Sequence, residues 1–418
     1  MRLVPAALIL LAGCSAAENP SADVTVIGDT TVVTNHAALW RQPRTMRPVM
    51  RIGMPDGPNE YLFETIVAFA VDPANNVVIS DVEPPVRLFD STGKFVRVVA
   101  RHGQGPGEAL EPRGLAIMPD GGVVLRDQGN GRLNFYSADG GPRTQWRLPQ
   151  MSGYGAHTVT VDSAGNVYIT VNPVFQADGT PQRWPRPVYY RLDDSGRVVD
   201  TISAPARFTE KCPVLSNSHF RAGWFEDIRW TFIPKVTWAL APNGDLAVGC
   251  PAAESFDVMH ADGRVTRVVW HWPAVRATRG ERDQFRQGVQ LTQRQVMKNW
   301  QWTGPGLPDI KPPYLRILPN QDGGFWLWRS RKGVRERMPA GAPPELGKYW
   351  WKNSPSSTFD VFRQDGRYLG EVHAPDNLVF EGHPGTADPL IRGDTVWAVT
   401  HDSLDVEYLT RFELTPME

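Results

Sequence analysis

Three observations predict an all-β protein in which six four-stranded units follow one another and close on themselves. A turn rich in Pro, Asp, Asn and Gly recurs six times, at 72–76, 119–122, 162–166, 242–245, 319–323 and 393–394. A second, Gly-bearing turn recurs five times, at 91–93, 138–140, 194–196, 261–263 and 364–366, so one unit is incomplete. Between the turns lie short runs rich in Val, Ile, Phe, Trp and Tyr, the residues that suit pleated, half-buried strands. Recurrence at this spacing reports units that cannot bury their apolar faces without neighbours. The expected architecture is a six-bladed β-propeller with strands a to d in each blade.

The strands follow in order. Unit one places a to d at 66–71, 77–80, 86–89 and 95–99, and unit two at 114–117, 123–125, 132–136 and 144–148. Unit three takes 158–161, 167–170, 188–192 and 198–202; unit four takes 237–240, 246–249, 256–259 and 265–270. Unit five takes 314–318, 324–328, 358–363 and 368–372. Unit six has only three strands, at 390–392, 395–400 and 408–414, before the sequence ends. An orphan run at 47–52 near the start supplies the missing fourth. Closing the last blade with an N-terminal strand removes the sheet edges that a linear array would expose. A further strand pair at 24–33 is expected to pad the same blade or the rim.

Four insertions interrupt this regularity, at 173–187, 204–234, 274–312 and 329–357. The third contains a broadly helical spacing of Phe285, Val289, Val296 and Trp300. The fourth carries the basic run 331–337 (Arg-Lys-Gly-Val-Arg-Glu-Arg), whose bland reading is a solvated loop. Long loops on a rigid array tend to carry function.

The first residues read as a processing signal. Arg2 precedes a short apolar core, 3–11, and Leu-Ala-Gly-Cys closes it at Cys14. That core is too short to span a membrane as a helix. The closing residues resemble the lipobox of bacterial lipoproteins, which implies lipidation of Cys14, a polar tether at 15–23 and a folded domain from 24 to 418. Ser15 after the cysteine leans, by analogy with lipoprotein sorting, toward the outer membrane. Cys212 and Cys250 remain: either a disulfide joining an insertion to a blade or two unpaired small hydrophobes. Composition is that of a globular protein, with 41% hydrophobic and 21% charged residues and net charge −1. No global basic field favours nucleic acid.

Residues 61–147 resemble NHL-type β-propeller repeats. The carrying segments are 86–93 (Val-Arg-Leu-Phe-Asp-Ser-Thr-Gly), 101–108 (Arg-His-Gly-Gln-Gly-Pro-Gly-Glu), 112–117 (Pro-Arg-Gly-Leu-Ala-Ile), 119–121 (Pro-Asp-Gly) and 127–132 (Asp-Gln-Gly-Asn-Gly-Arg). Beyond residue 150 the turns persist while the motif residues are mostly lost. The resemblance implies a six-bladed propeller of bacterial secreted proteins and lipoproteins. That scaffold hosts lyases, lactonases, sensors and binding modules alike.

Local chemistry is sparse. The glycine-rich 103–107 lacks the Lys and the following helix of a phosphate-binding loop and reads as a structural turn. Asp127, Asn130 and Arg132 match the NHL Asp-x-x-Asn-x-Arg, where Asp and Asn bond the turn backbone or contact a ligand. No catalytic motif, metal-ligand set or cofactor site is identified. In propellers, ligands gather where the b-to-c loops and the linkers before strand a converge. That face would receive Glu64, Asp81, Glu83, Asn172 and Asp402 together with the ligand candidates Arg113, Asp127, His157, Lys235, Trp238, Arg329, Arg331 and His401. Such basic and aromatic side chains suit an anionic or carbohydrate-like ligand; they equally suit a solvated loop rim.

The functional expectation is therefore a lipid-anchored binding or interaction module of the cell envelope. It would recognise a small molecule, a glycan or a protein partner, with the membrane reached through the anchor and no nucleic acid bound. The alternative implied by the resemblance is a metal-dependent hydrolase or lyase of the gluconolactonase or amidating-lyase type.

Overall fold

Strand ladders organise the chain. The computed structural model describes residues 21–417 except 84, 149–157, 172–187, 206, 209–211, 213–231, 233, 235, 303–305, 339–348, 353–356 and 380–386. Six antiparallel meanders appear in sequence. Unit one runs Ile66–Val71, Val77–Asp81, Val86–Phe89 and Phe95–His102, and unit two Pro112–Ile117, Val123–Asp127, Arg132–Tyr136 and Pro142–Arg147. Unit three runs Val159–Val161, Val167–Val171, Val188–Leu192 and Val198–Ile202; unit four Thr237–Leu240, Leu246–Gly249, Ser255–Met259 and Val265–Val269. Unit five runs Tyr314–Pro319, Phe325–Arg329, Thr358–Phe362 and Tyr368–His373. Unit six contributes Leu390–Arg392, Thr395–His401 and Glu407–Pro416.

The orphan strand completes unit six. Arg44–Ile52 pairs antiparallel with Glu407–Pro416, from Arg44 opposite Pro416 to Ile52 opposite Leu409. Its Met46 and Ile52 are buried, whereas Arg47 is exposed and meets Glu413 at 2.8 Å. The same strand pairs in parallel with Tyr368–His373, fusing units five and six into one sheet. The c-to-d turns explain why the units repeat. Gly93, Gly140, Gly196, Gly263 and Gly366 all sit at φ between 80° and 92°, a region that favours glycine over residues with a Cβ.

The strand pair near the start corrects the expectation. Ala22–Ile27 and Thr30–Asn35 form a hairpin, but it pads unit four rather than unit six. Thr30–Asn35 pairs in parallel with Val265–Val269, and Asn35 is buried, donating to the Gly366 carbonyl at 3.0 Å and accepting from the Tyr368 amide at 2.7 Å. Backbone and amide bonds over this distance leave no local sequence mark.

The core lies between successive units. One apolar cluster joins Ala68, Val78 and Val86 of unit one to Leu115 and Leu125 of unit two. Equivalent clusters join units two and three, three and four, four and five, and five and six. A sixth joins Trp397, Val399 and Leu409 of unit six to Ile66, Phe69 and Phe89 of unit one. Sheets covered on both faces need apolar residues at consecutive positions, so strands such as Ile66–Val71 are buried throughout. The outer strands, such as Val198–Ile202, are largely exposed.

Insertions 274–312 and 329–357 add a helix and two short strand pairs. Arg279–Val296 is a helix begun by a capping box: Thr278 accepts from the Glu281 amide, and Glu281 accepts from the Thr278 amide. Val289 lies on its buried side, while Trp300 falls beyond its end and packs back against it. The basic run is not a loop. Val334–Arg337 pairs with Tyr349–Lys352 as a hairpin arm, held to the helix where Gln284 accepts from the Trp351 amide at 2.7 Å. Insertion 173–187 lies outside the described residues.

Candidate functional site

Antiparallel pairing puts the starts of strands a and c and the ends of b and d at one end of every unit. The linkers between units cross this end, and it holds the predicted face. Two acidic residues at the ends of b strands shape it. Asp81 accepts from the amides of Glu64, Thr65 and Val82, at 3.0, 2.8 and 2.8 Å. Asp127 accepts from the amides of Leu110, Glu111 and Asn130 and from the Asn130 side chain at 2.6 Å. Both carboxylates therefore pin the incoming linker to the b strand. Asp127 is fully buried, which leaves it for the frame and not for a ligand. Glycine-rich 103–107 is also a frame element: Glu108 folds back to accept from the Gly105 amide at 2.8 Å, and a Cβ on Gly103 would lie 2.0 Å from that carboxylate.

A second polar series was missed by sequence reasoning. Four residues before each c-to-d turn begins stand Arg87, Asn134, Tyr190, Asp257 and Asp360, opposite Ile79, Leu125, Ile169, Val248 and Leu327. In four units this residue bonds the linker entering its own unit. Arg87 donates to the Leu62 carbonyl at 2.9 Å and Asn134 to the Glu108 carbonyl at 3.1 Å. Asp257 binds Arg207 at 3.1 Å, and Asp360 accepts from Trp272 Nε1 at 2.8 Å. A polar residue recurring inside an apolar strand is the signal that could have revealed it.

In units four and five the series becomes acidic and gathers arginine. Asp360, 1% exposed, also accepts from the Tyr368 hydroxyl at 2.8 Å and faces Arg329 at 3.5 Å. Burial raises the Asp360 carboxyl, an effect that Arg329, Tyr368 and Trp272 only partly offset. Burial opposes the Arg329 cation, but Asp360 and Glu371, the latter at 2.6 Å, outweigh it and raise its pKa. In unit four, Asp257 is 1% exposed and takes Arg267 through both oxygens, at 2.9 and 3.0 Å. A cleft of about 370 Å³ opens beside this group.

The other predicted residues are spread over the face. Arg113 is half-buried at the start of its a strand. Trp238 packs 5.4 Å from Tyr189 of the preceding unit, within a core cluster. The backbone carbonyl of Arg331 accepts from Lys311 at 2.8 Å. His401 lies 3.0 Å from the Asp402 carbonyl and 3.6 Å from the Asp405 carboxylate. His157 and Lys235 lie outside the described residues, as does Cys14. Cys212 and Cys250 are joined by a disulfide that fixes an insertion to the end of a b strand.

Two arrangements outside the prediction carry reactive groups. Glu407 accepts from the Ile66 amide at 2.7 Å, and burial, with Asp81 nearby, raises its carboxyl. At the opposite end, Asp245, His260 and Thr266 form a carboxylate–imidazole–hydroxyl chain at 3.0 and 2.9 Å. Thr266 is 8% exposed and its methyl faces the Gly366 turn, so the hydroxyl serves the frame. Among the described residues no three His, Cys, Asp or Glu side chains are grouped to hold a metal ion.

No protein-family model matches this chain. No curated protein sequence matches it either. Solved structures do resemble it in fold. A member of the DUF4221 family from Bacteroides vulgatus aligns at TM-score 0.50 and 10% identity, over 90% of this chain and 100% of its own. A gluconolactonase from Xanthomonas campestris aligns at TM-score 0.39 and 14% identity, over 88% of this chain and 99% of its own. A virginiamycin B lyase from Staphylococcus aureus aligns at TM-score 0.39 and 11% identity, with the same coverage of 88% and 99%. The neighbours are propeller-type folds, and the likeness concerns the all-β fold alone.

Proposed function

We propose that the chain is a six-bladed propeller anchored in the bacterial cell envelope that acts as a binding module for an anionic ligand. The six inter-unit core clusters, the last joining unit six to unit one, support closure. The observation that carries the binding reading is the commitment of the acidic residues at the loop end. Asp81 and Asp127 are spent on backbone amides, and Asp257 and Asp360 on guanidinium, indole and phenol groups. Carboxylates so engaged hold a frame; they are poor candidates for general acid–base work or for metal ligation. Arg207 and Arg267 keep guanidinium N–H groups that bond no described residue, and these are what this end can offer an anionic ligand, beside the exposed Glu64, Glu83 and Glu111.

Elemental analysis and thermal melting of the purified mature protein test this reading. It expects no stoichiometric divalent ion and a melting temperature unchanged by chelator. A bound ion at one per chain would instead favour the hydrolase or lyase reading. Anchoring is tested separately by Cys14→Ser, which should release the protein from membranes; retention of the variant there would refute the lipid tether.

A further inference from the structure

The cleft on unit four holds more positive charge and more apolar wall than the frame requires. Asp257 is already saturated, because Arg267 binds both its oxygens and Arg207 adds a third bond. Among the described lining residues, two guanidinium groups against one carboxylate leave one net positive charge. Both arginines line it, with side chains 45% and 42% exposed. Nε and Nη1 of Arg207 and Nη1 of Arg267 bond no described residue. The buried aspartate thus orients two guanidinium groups at the cleft wall. The rest of the described lining is mostly apolar, from Phe208, Cys250, Ala252 and Ala253, and the Phe208 ring lies 5.1 Å from the Arg207 guanidinium.

The arginine on the linker is positioned by the disulfide. The Cys212 amide donates to the Phe208 carbonyl at 3.1 Å, which ties the cysteine to the segment that carries Arg207 and Phe208. Cys212 is in turn bonded to Cys250, which lines the cleft at the end of its strand. The disulfide therefore ties the segment that carries Arg207 and Phe208 to the strand end at Cys250, and both line the cleft.

We propose that this cleft binds a small organic monoanion, a carboxylate on an apolar body, and that it exists only while the Cys212–Cys250 disulfide is intact. One net charge matches one carboxylate, and the apolar wall needs a body to cover it. A volume of about 370 Å³ is at the small end of ligand sites. The proposal rests on reading the loop end as a binding surface and narrows that reading to one place.

Calorimetric titration of the mature protein with phenylacetate, hexanoate and inorganic phosphate tests it. Phenylacetate and hexanoate should saturate at one per chain and bind more tightly than phosphate. Ala252→Trp fills the cleft without touching the arginine–aspartate group, and should abolish binding while leaving the melting temperature unchanged. Arg207→Gln should weaken binding by about tenfold or more, the effect of losing a charge-assisted contact. Reduction of the disulfide should weaken it comparably. No saturable binding of either carboxylate overturns the proposal, as does binding that survives Ala252→Trp or favours phosphate. Binding indifferent to reduction overturns the role of the disulfide. A stoichiometric metal would defeat the broader binding reading whatever these titrations give; metal-free protein that ignores both carboxylates would remove the cleft alone.

Discussion

Glu281 and Lys311 form a fully buried ion pair, Oε1 to Nζ at 2.9 Å, at the point where three insertions meet. Glu281 also accepts from the Gly333 amide at 2.7 Å, and Lys311 donates to the Arg331 carbonyl at 2.8 Å. The Lys311 ammonium stands 5.3 Å from the Phe232 ring. One pair thus ties the helix to the hairpin arm and to the segment between units three and four.

Removing one partner strands the other charge in the interior, so Glu281→Gln or Lys311→Met should each cost about 3–5 kcal/mol in urea unfolding. The double variant should cost clearly less than the sum. Burial would raise the Glu281 carboxyl, but the Thr278 amide, the Lys311 ammonium and the Gly333 amide outweigh it and lower its pKa. A lowered carboxyl contributes stability that is present above its unfolded value, about 4.3, and lost as pH falls through the folded one. Glu281→Gln should flatten that acid limb. An acid limb identical in the two proteins would contradict the assignment.

Asp127→Ala should destabilise by on the order of 3 kcal/mol, because several buried amides lose their acceptor together. Any ligand that binds the loop face should keep its affinity in the folded fraction. A selective loss of binding at unchanged stability would return Asp127 to the ligand site.

Glu407 offers a test with the opposite sign. Burial raises its carboxyl in the folded state, so its charged form opposes folding once pH rises through that value. Glu407→Gln keeps an acceptor for the Ile66 amide without the charge. Its melting temperature should exceed that of the parent at pH 7, and the difference should shrink as pH falls below the raised value. A lower melting temperature at pH 7 would show that the carboxylate is better paired than its surroundings indicate.

Deleting residues 22–36 removes the hairpin on unit four, whereas deleting 22–52 also removes the strand that completes unit six. The first truncation should keep the parent's oligomeric state with a reduced melting temperature. The second should lose cooperative unfolding or aggregate, since Glu407–Pro416 then presents an unpaired edge. Size-exclusion chromatography with circular-dichroism melting separates the two outcomes.

The sequence by itself determined the units, because their determinants are local. Glycine at 93, 140, 196, 263 and 366 sets the c-to-d turns, and the apolar runs between turns set the strands. It also pointed to 47–52 as the strand that joins the last unit, since an incomplete meander and a spare strand leave one economical pairing. Tertiary structure alone decided three further matters. It seated the 22–35 hairpin on unit four through backbone pairing, which any strand edge can offer. It turned the 329–357 insertion into an arm braced on a helix by Gln284 and Glu281, contacts between segments roughly fifty residues apart or more. It also made Asp127 a frame residue and Asp257 the pivot of a cleft. In sequence both are acidic residues beside strands of similar character. Only the groups brought to each carboxylate, four donors of the adjoining linker and turn in one case and two arginines in the other, set their chemistry apart.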